Sequence, residues 1–378
     1  MDPTSFLGEG GTTVVSIQLE SSEAINIPFP VRVLVNTRGP EQVGTVVNVP
    51  GKLVDILADP VRDRFYILRQ DQNRVLVFDG DSLQQIAEFP TGNTPTQMAL
   101  TRDSRYLLVG NDNSQIANVY DLELLQPSDF IRFPGGHYPR SIAVSNTAIL
   151  AASRVATICL KAPEEAEEDI EHCMDRVDFP NRTASKYPRL GVYRNEISPE
   201  TALAASPSGS FVFGVMPDGR VLLYEAASNT FVASRHDLPP ISGAYAALSD
   251  SLFAANNHLL NWSMLPIAEL ESGTGASSGL ALFEGLGLRT TSSSPTVPGV
   301  IQRLDLTTQR VISSTPMAES PLYHFQRWYI ANRWSRLLSP LPGLVCVSPF
   351  QPTAGAVGHR MAPLPGLKAA DQNAIHQP

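Results

Sequence analysis

Apolar residues along the chain occur in short runs that are hydrophobic at every position rather than at alternate positions. Examples are VLVF at 75–78, YLLV at 106–109 and VLLY at 221–224. A strand with one face in water carries an apolar residue at every second position, whereas a strand that is packed on both faces reads as a continuous apolar run. The pattern therefore predicts short strands that are buried on both faces.

These runs belong to a sequence unit that repeats. Tyr66 aligns with Tyr106, 40 residues later, and Asp79 aligns with Asp121, 42 residues later. A third copy occupies residues 205–240, a partial fourth copy occupies 299–321, and the stretches 138–154 and 243–260 reproduce only the first half of the unit. Each unit contains apolar runs separated by polar turns, so the periodicity extends over most of the chain.

A period of about forty residues with three or four short strands per unit is typical of a β-propeller. Burial on both faces agrees with this fold, because each blade packs between two neighbouring blades. A parallel β-helix or solenoid would show a shorter period of about 20 to 30 residues. We predict an all-β protein with a β-propeller over residues 44–350, for which the spacing favours seven blades and allows six.

The repeat units resemble the YVTN-type propeller repeats of bacterial surface proteins. The stretches that carry the resemblance are YILRQDQN at 66–73, VLVFD at 75–79, PTGNTP at 90–95 and TRDSRY at 101–106. The resemblance covers about three quarters of the chain and fades between 158 and 198 and after 322. It implies a propeller fold but no particular activity, because the family is defined by its blades.

The two ends of the chain differ from the repeats. Residues 1–43 contain alternating strand patterns at 14–19 and 31–35, and they resemble the last two strands of a bacterial immunoglobulin-like module of the BACON type. Two strands do not form a stable sandwich by themselves, so we expect the chain to be truncated at its N-terminus. Residues 44–49 are expected to supply the outer strand of the last blade and so to close the ring. Residues 351–378 are predicted to be loop or disordered.

Composition narrows the choice of partners. The net charge of −9 argues against sequence-independent nucleic-acid binding, which requires a basic surface. The sequence contains no apolar stretch of about 18 residues, so we expect no membrane insertion. No signal peptide is visible at the start of this chain. The resemblance favours an extracellular or cell-envelope location, and the cytoplasm is the alternative.

Several features that suggest chemistry have simpler interpretations. Cys159, Cys173 and Cys346 are too few and too scattered for a disulfide scaffold or a zinc site, although Cys159 and Cys173 could pair in an oxidising compartment. The acidic stretch at 164–172 lacks the ligand spacing and glycine of a calcium loop. The GASSG stretch at 275–279 lacks the strand and helix that a serine nucleophile elbow needs. We predict no catalytic residues, no metal site and no cofactor.

The propeller geometry predicts where a binding site would lie. In a four-stranded blade, the loop leading into the first strand and the loop joining the second to the third strand emerge on the same face. Loops positioned by a rigid scaffold often carry binding residues. The candidate binding residues on these loops are Asn111, His137, Tyr138, Arg154, Asn256 and His258. Asp112 lies on these loops as well, and Asp112 and Asn113 are interpreted as turn formers that bond their own backbone.

We predict a non-enzymatic binding or scaffold module of a secreted or cell-envelope bacterial protein, which presents these loops to a protein or glycan. The alternative is a lactonase-like propeller hydrolase, with polar side chains at the axial pore that polarise a carbonyl and activate water. Convergence of His137, Arg154 and His258 within hydrogen-bond reach would favour the hydrolase. A haem-binding propeller is not indicated, because no Cys-x-x-Cys-His motif occurs.

Overall fold

The computed structural model describes thirteen segments of the chain. They are residues 11–17, 31–37, 45–155, 173–188, 197–241, 244–270, 277–283, 286–291, 300–308, 310–316, 326–327, 336–341 and 344–349. Every regular element in these segments is a β-strand, which confirms the predicted all-β class. None of them forms a helix that could cross a membrane. The acidic stretch at 164–172, Cys159 and the tail at 351–378 lie outside the described residues.

The chain begins with a hairpin and a short strand. These are β1 (Gly11–Ile17), β2 (Val31–Thr37) and β3 (Thr45–Asn48). β1 and β2 pair antiparallel as a sheet of their own. β3 belongs to a different sheet near the other end of the chain.

Six units of four consecutive antiparallel strands follow. The first unit contains β4 (Leu53–Ala58), β5 (Arg64–Arg69), β6 (Arg74–Asp79) and β7 (Gln85–Pro90); the second contains β8 (Pro95–Leu100), β9 (Tyr106–Asn111), β10 (Ile116–Asp121) and β11 (Gln126–Arg132). The third contains β12 (His137–Val144), β13 (Ile149–Val155), β14 (Cys173–Asp178) and β15 (Thr183–Lys186); the fourth contains β16 (Ala202–Ala205), β17 (Phe211–Val215), β18 (Val221–Glu225) and β19 (Thr230–Arg235). A parallel bridge between β11 and β15 joins the second and third units into one eight-stranded sheet.

The remaining strands complete the arrangement. The fifth unit contains β20 (Ala244–Ala247), β21 (Leu252–Ala255), β22 (His258–Asn261) and β23 (Pro266–Glu269); the sixth contains β24 (Ser277–Phe283), β25 (Leu286–Thr291), β26 (Val300–Asp305) and β27 (Arg310–Pro316). They are followed by β28 (Gln326–Arg327), β29 (Arg336–Leu341) and β30 (Leu344–Pro349). β28 adds a parallel strand beside β20, and β29 and β30 form a hairpin.

The sheets are arranged as in a propeller. First strands of neighbouring units contact one another, since β4 contacts β8, β8 contacts β12, β12 contacts β16, β16 contacts β20 and β20 contacts β24. β3 pairs antiparallel with β30, so the predicted contribution of residues 44–49 to the last sheet is confirmed. β29 in turn contacts β4, the first strand of the first unit. The polypeptide thus returns to its starting unit.

The continuous apolar runs are explained by burial on both faces of each sheet. In β6, Val75 and Val77 pack into a core shared with the second unit. Leu76 and Phe78, the alternate residues of the same run, pack into a separate core on the other face, together with Val47 before the first unit. The last strands of the units are the exposed ones, as the pattern of β7 shows. The prediction from the unbroken runs is therefore confirmed.

A hydrogen-bond pattern links the first strands of successive units. The pairing register shifts near the start of β4, β8 and β12. A side chain at each irregularity accepts a hydrogen bond from a backbone N–H of the next unit. The bonds run from Met98 N to Asp55 Oδ2 (2.7 Å), from Ile142 N to Gln97 Oε1 (3.0 Å) and from Leu203 N to Ser141 Oγ (2.8 Å). Buried backbone donors require such partners, so these bonds fix the spacing of the units near the centre.

The aspartate that recurs in the sequence repeat closes the third strand of a unit. Asp79 Oδ1 accepts a hydrogen bond from Ser82 N at 2.8 Å, and Asp305 Oδ1 accepts one from Thr307 N at the same distance. Asp121 Oδ1 accepts from Glu123 N at 2.9 Å. Aspartate is favoured at such positions because its carboxylate bonds to the backbone two or three residues later. The repeated aspartates are therefore turn formers.

Candidate functional site

The antiparallel order of strands divides the loops between two faces. The loop face carries the loops that lead into the first strands and those that join the second to the third strands, including residues 70–73, 91–94, 112–115, 133–136, 216–220 and 256–257. The opposite face carries the other turns, including residues 101–105, 145–148, 179–182 and 206–210. All six predicted binding residues lie in the loops of the loop face or at the strand ends beside them.

Two of the predicted residues, Tyr138 and Arg154, form a cluster at the junction of the second and third units. Tyr138 and Arg154 are paired across β12 and β13, and the Arg154 guanidinium carbon lies 4.6 Å from the centre of the Tyr138 ring. Arg154 Nε donates to Asp112 Oδ1 at 2.8 Å, and its Nη2 donates to Asn113 Oδ1 at 3.0 Å. The aromatic ring and the guanidinium are thus fixed as one half-buried platform, in an arrangement that also favours cation–π attraction.

A second arginine strengthens this platform from the third unit. Arg140 Nη1 donates to Asp112 Oδ2 at 3.1 Å. The Asp112 carboxylate therefore joins two arginines of the neighbouring unit. We interpreted it from the sequence as a turn former, and this was wrong about its carboxylate. The sequence pattern missed Arg140, although it lies two residues after Tyr138 and so shares the same end of β12.

His137 is oriented by a buried carboxylate. Its Nδ1 lies 2.9 Å from Asp175 Oδ2, and the side chains are 7% and 0% exposed, respectively. An ionised carboxylate only accepts hydrogen bonds, so Nδ1 is the donor in this contact. The pair is a nearly buried histidine whose ring is held in place by a buried carboxylate.

Ser153 lies on the same side of its sheet as this pair. Its partner in the neighbouring strand β12 is Pro139, and its partner in β14 is Cys173. Its Oγ is buried and has no hydrogen-bond partner within the described part of the chain. Sequence reasoning identified neither Asp175 nor Ser153, because their proximity to His137 depends on the order of the strands in the sheet.

Asn111 lies beneath the loop surface and not on it. The residue is 0% exposed, and its Nδ2 donates to Ile116 O at 2.8 Å and to Asn118 Oδ1 at 3.0 Å. Its Oδ1 is buried and accepts no hydrogen bond from any described residue. Asn111 therefore supports the loop at 112–115 from within the sheet.

The other two predicted residues lie in the fifth unit. Asn256 has a positive φ of 51° and donates from Nδ2 to Pro240 O at 3.0 Å. His258 begins β22, opposite Ala255 and Glu269. His137, Arg154 and His258 therefore have separate surroundings, and no hydrogen bond joins them to one another in the described chain. The convergence that would favour a hydrolase is not observed.

Two further charged groups stabilise the loop face. Arg289 of the sixth unit is 1% exposed, and its Nη2 donates to Gln302 Oε1 at 2.7 Å. In the first unit, partial burial tends to raise the pKa of Asp71, but hydrogen bonds from Arg69 and from the Lys52 backbone outweigh it and lower that pKa. No group of three or more His, Cys, Asp or Glu that could hold a metal ion occurs among the described residues.

The chain matches no protein-family model, and it matches no curated protein sequence. The propeller-like arrangement of sheets is therefore supported by the structure. The resemblance to YVTN-type repeats and to an immunoglobulin-like module is supported by sequence motifs alone.

Proposed function

We propose that the chain is a seven-bladed β-propeller with YVTN-type repeats that acts as a non-enzymatic binding or scaffold module of a secreted or cell-envelope bacterial protein. The blade number is supported by the sheets: three separate four-stranded sheets, two such units within the eight-stranded sheet, one within the five-stranded sheet, and the three-stranded sheet that includes β3. The ligand in this proposal is a protein or a glycan that contacts the loop face.

The observation that carries the proposal is the platform formed by Tyr138, Arg154 and Asp112. Tyrosine and arginine are enriched among the residues that dominate binding energies at interfaces. A platform that is already rigid loses little side-chain entropy when a partner binds. Asp112 holds the guanidinium and the guanidinium holds the ring, so the surface is ordered before any ligand arrives.

Binding to a glycan array and to a panel of purified bacterial envelope proteins tests this proposal. We expect Tyr138→Ala to weaken binding by about tenfold or more, since loss of a central aromatic contact commonly costs 2 kcal/mol or so. Tyr106→Ala is the matched control, because Tyr106 is also half-buried and also lies beside an arginine but belongs to the opposite face. Equal loss in both variants, or no specific binding to either panel, would contradict the proposal.

The His137–Asp175 pair favours a second candidate function, a lactonase-like hydrolase. A neutral imidazole whose Nδ1–H is fixed by a carboxylate can accept a proton from water at Nε2. Turnover of a lactone panel tests this candidate. Activity that is lost in His137→Gln while the fold and melting temperature are kept would support it, whereas a wild-type protein without turnover would exclude these substrates.

A further inference from the structure

A pocket of about 700 Å³ opens on the opposite face, between the second and third units. Its lining consists of three turns with the strand ends beside them, and of Ser185. The three stretches are Thr101–Asp103, Val144–Ile149 and Arg176–Pro180. This volume lies within the range of small-molecule sites, about 300 to 1,000 Å³. None of the residues proposed for the loop-face platform contributes to it.

Part of the pocket lining is apolar and continues into the core. Val144 and Val177 are buried in the core between the two units, and Phe179 packs against that core. The middle turn is rigid, because Thr147 Oγ1 donates to Ala226 O at 2.8 Å and Asn146 N donates to Gly209 O at 2.8 Å. The pocket is therefore a preformed surface that suits an apolar ligand body.

Two arginines in the lining have no carboxylate partner among the residues that the structure describes. Arg102 donates from Nη1 to Pro207 O at 3.1 Å and from Nη2 to Ser208 O at 2.7 Å. Arg176 donates from Nη2 to Thr147 O at 3.5 Å. In the part of the chain described by the structure, neither guanidinium has an acidic oxygen within ion-pair distance. A guanidinium has five N–H donors, so each retains donors that no described residue uses, and no described carboxylate pairs with its charge.

The two carboxylates in the lining are used by their own turns. Asp103 Oδ1 accepts from Thr101 Oγ1 at 2.5 Å and from Arg105 N at 3.1 Å. Asp178 Oδ2 accepts from Asn181 Nδ2 at 2.7 Å. These hydrogen bonds tie each carboxylate to its own turn, whereas the two guanidiniums bond to carbonyl oxygens and keep further donors among the described residues.

We propose that this pocket binds a small organic acid, whose carboxylate bonds to Arg102 and Arg176 and whose apolar body lies against Phe179. Guanidinium groups pair with carboxylates through charge-assisted and often bidentate hydrogen bonds, which are stronger than neutral ones. Arg102 is already fixed by the fourth unit, so its alignment costs little on binding. This site is independent of the loop-face function.

Titration calorimetry with benzoate, phenylacetate and octanoate, each compared with its uncharged amide, tests the proposal. We expect at least one acid to bind with a dissociation constant below about 1 mM and its amide to bind about tenfold or more weakly. Arg102→Ala and Arg176→Ala should each weaken binding of that acid by about tenfold. Affinity should also fall as salt is raised.

Arg105→Ala is the matched control, because Arg105 lies on the same face but is paired with Asp121 and does not line the pocket. It should change acid binding by less than about twofold. Thermal unfolding of each variant checks that the fold is kept. The proposal is overturned if none of the three acids binds at up to about 10 mM, if acid and amide bind equally, or if Arg105→Ala weakens binding as much as the pocket variants.

Discussion

The junction between the second and third units has two ends with opposite electrostatic organisation. On the loop face, Arg140 and Arg154 both bond to the Asp112 carboxylate. On the opposite face, the bonds of Arg102 and Arg176 within the described residues go to backbone carbonyl oxygens. One end of the junction thus contains two arginines that share a carboxylate across the two units, and the other end contains two arginines that have no carboxylate partner among the described residues.

This difference separates two uses of the same residue type. A charge pair that is partly buried between two sheets holds them in register, and removing one partner leaves the other charge poorly solvated. An arginine that bonds only to carbonyl groups is positioned but not neutralised, and a ligand can complete its bonding. We therefore expect substitutions that break the Asp112 ion pairs to alter stability. Substitutions of Arg102 and Arg176 should alter ligand binding.

The largest effect is expected from Gly110→Ala, which acts between the two ends. A Cβ at Gly110 would lie 2.7 Å from Pro139 O and 3.1 Å from Arg140 O, both in the backbone of the third unit. Backbone cannot rotate away as a side chain can, so the two units must move apart. We expect a loss of about 2 to 3 kcal/mol in the free energy of unfolding, near the upper end for overpacked sites, measured by urea denaturation.

Gly135→Ala is the matched control for this substitution. Gly135 precedes the same strand of the third unit, and a Cβ there would meet no atom within 4 Å. Its effect should stay within about 0.5 kcal/mol. If the two glycine variants were equally stable, the close approach of the second and third units would not be a feature of the folded protein.

A smaller effect is expected from Asp112→Ala, which tests the loop-face end directly. The variant removes both ion pairs and leaves Arg140 and Arg154, each about one third exposed, without a counter-charge. We expect a loss of about 1 to 2 kcal/mol, between the values for exposed and for buried pairs. Urea denaturation measures it, and the double variant with Arg154→Ala should lose less than the sum of the single losses.

Asp218→Ala provides the comparison for an exposed pair. Asp218 and Arg220 lie on the loop face of the fourth unit and are separated by two residues, with the carboxylate about half exposed. This variant should lose less than about 1 kcal/mol. A similar cost for Asp112→Ala and Asp218→Ala would mean that the pairing between units adds nothing beyond an ordinary surface contact.

The sequence predicted the part of this molecule that repeats. Runs such as Val75–Phe78 recur because every unit packs between two similar neighbours, so the same burial constraint returns with each copy. Contacts between units do not repeat in this way. Asp112 accepts a hydrogen bond from Arg154, which is 42 residues away in the sequence. Arg102 donates one to Ser208, which is 106 residues away.

Such contacts depend on how the ring brings distant turns together, which periodicity alone does not specify. His137 illustrates this limit, since it was selected as a loop residue without any indication of Asp175. The residues that link first strands illustrate it as well. Asp55, Gln97 and Ser141 occupy equivalent positions but share only the ability to accept a hydrogen bond. No single residue type marks this position in an alignment of the copies.

The smallest effect is expected on the pH dependence of stability, through Asp103 in the lining of the pocket. Partial burial tends to raise the pKa of this carboxyl, but hydrogen bonds from the Thr101 hydroxyl and the Arg105 backbone outweigh it, so the pKa lies below its ordinary value of 3.8. A depressed pKa in the folded state stabilises the protein above the unfolded-state pKa, and this contribution is lost as the pH falls through the folded-state pKa. Asp103→Asn should therefore be less stable than wild type near neutral pH. The loss should be at most about 0.5 kcal/mol because the group is exposed. The difference between the two proteins should shrink below about pH 4. Urea denaturation at several pH values measures it. If the difference in stability between the two proteins instead grew on acidification, the Asp103 carboxylate would destabilise the fold. Its hydrogen bonds to the turn at 101–105 would then not be favourable.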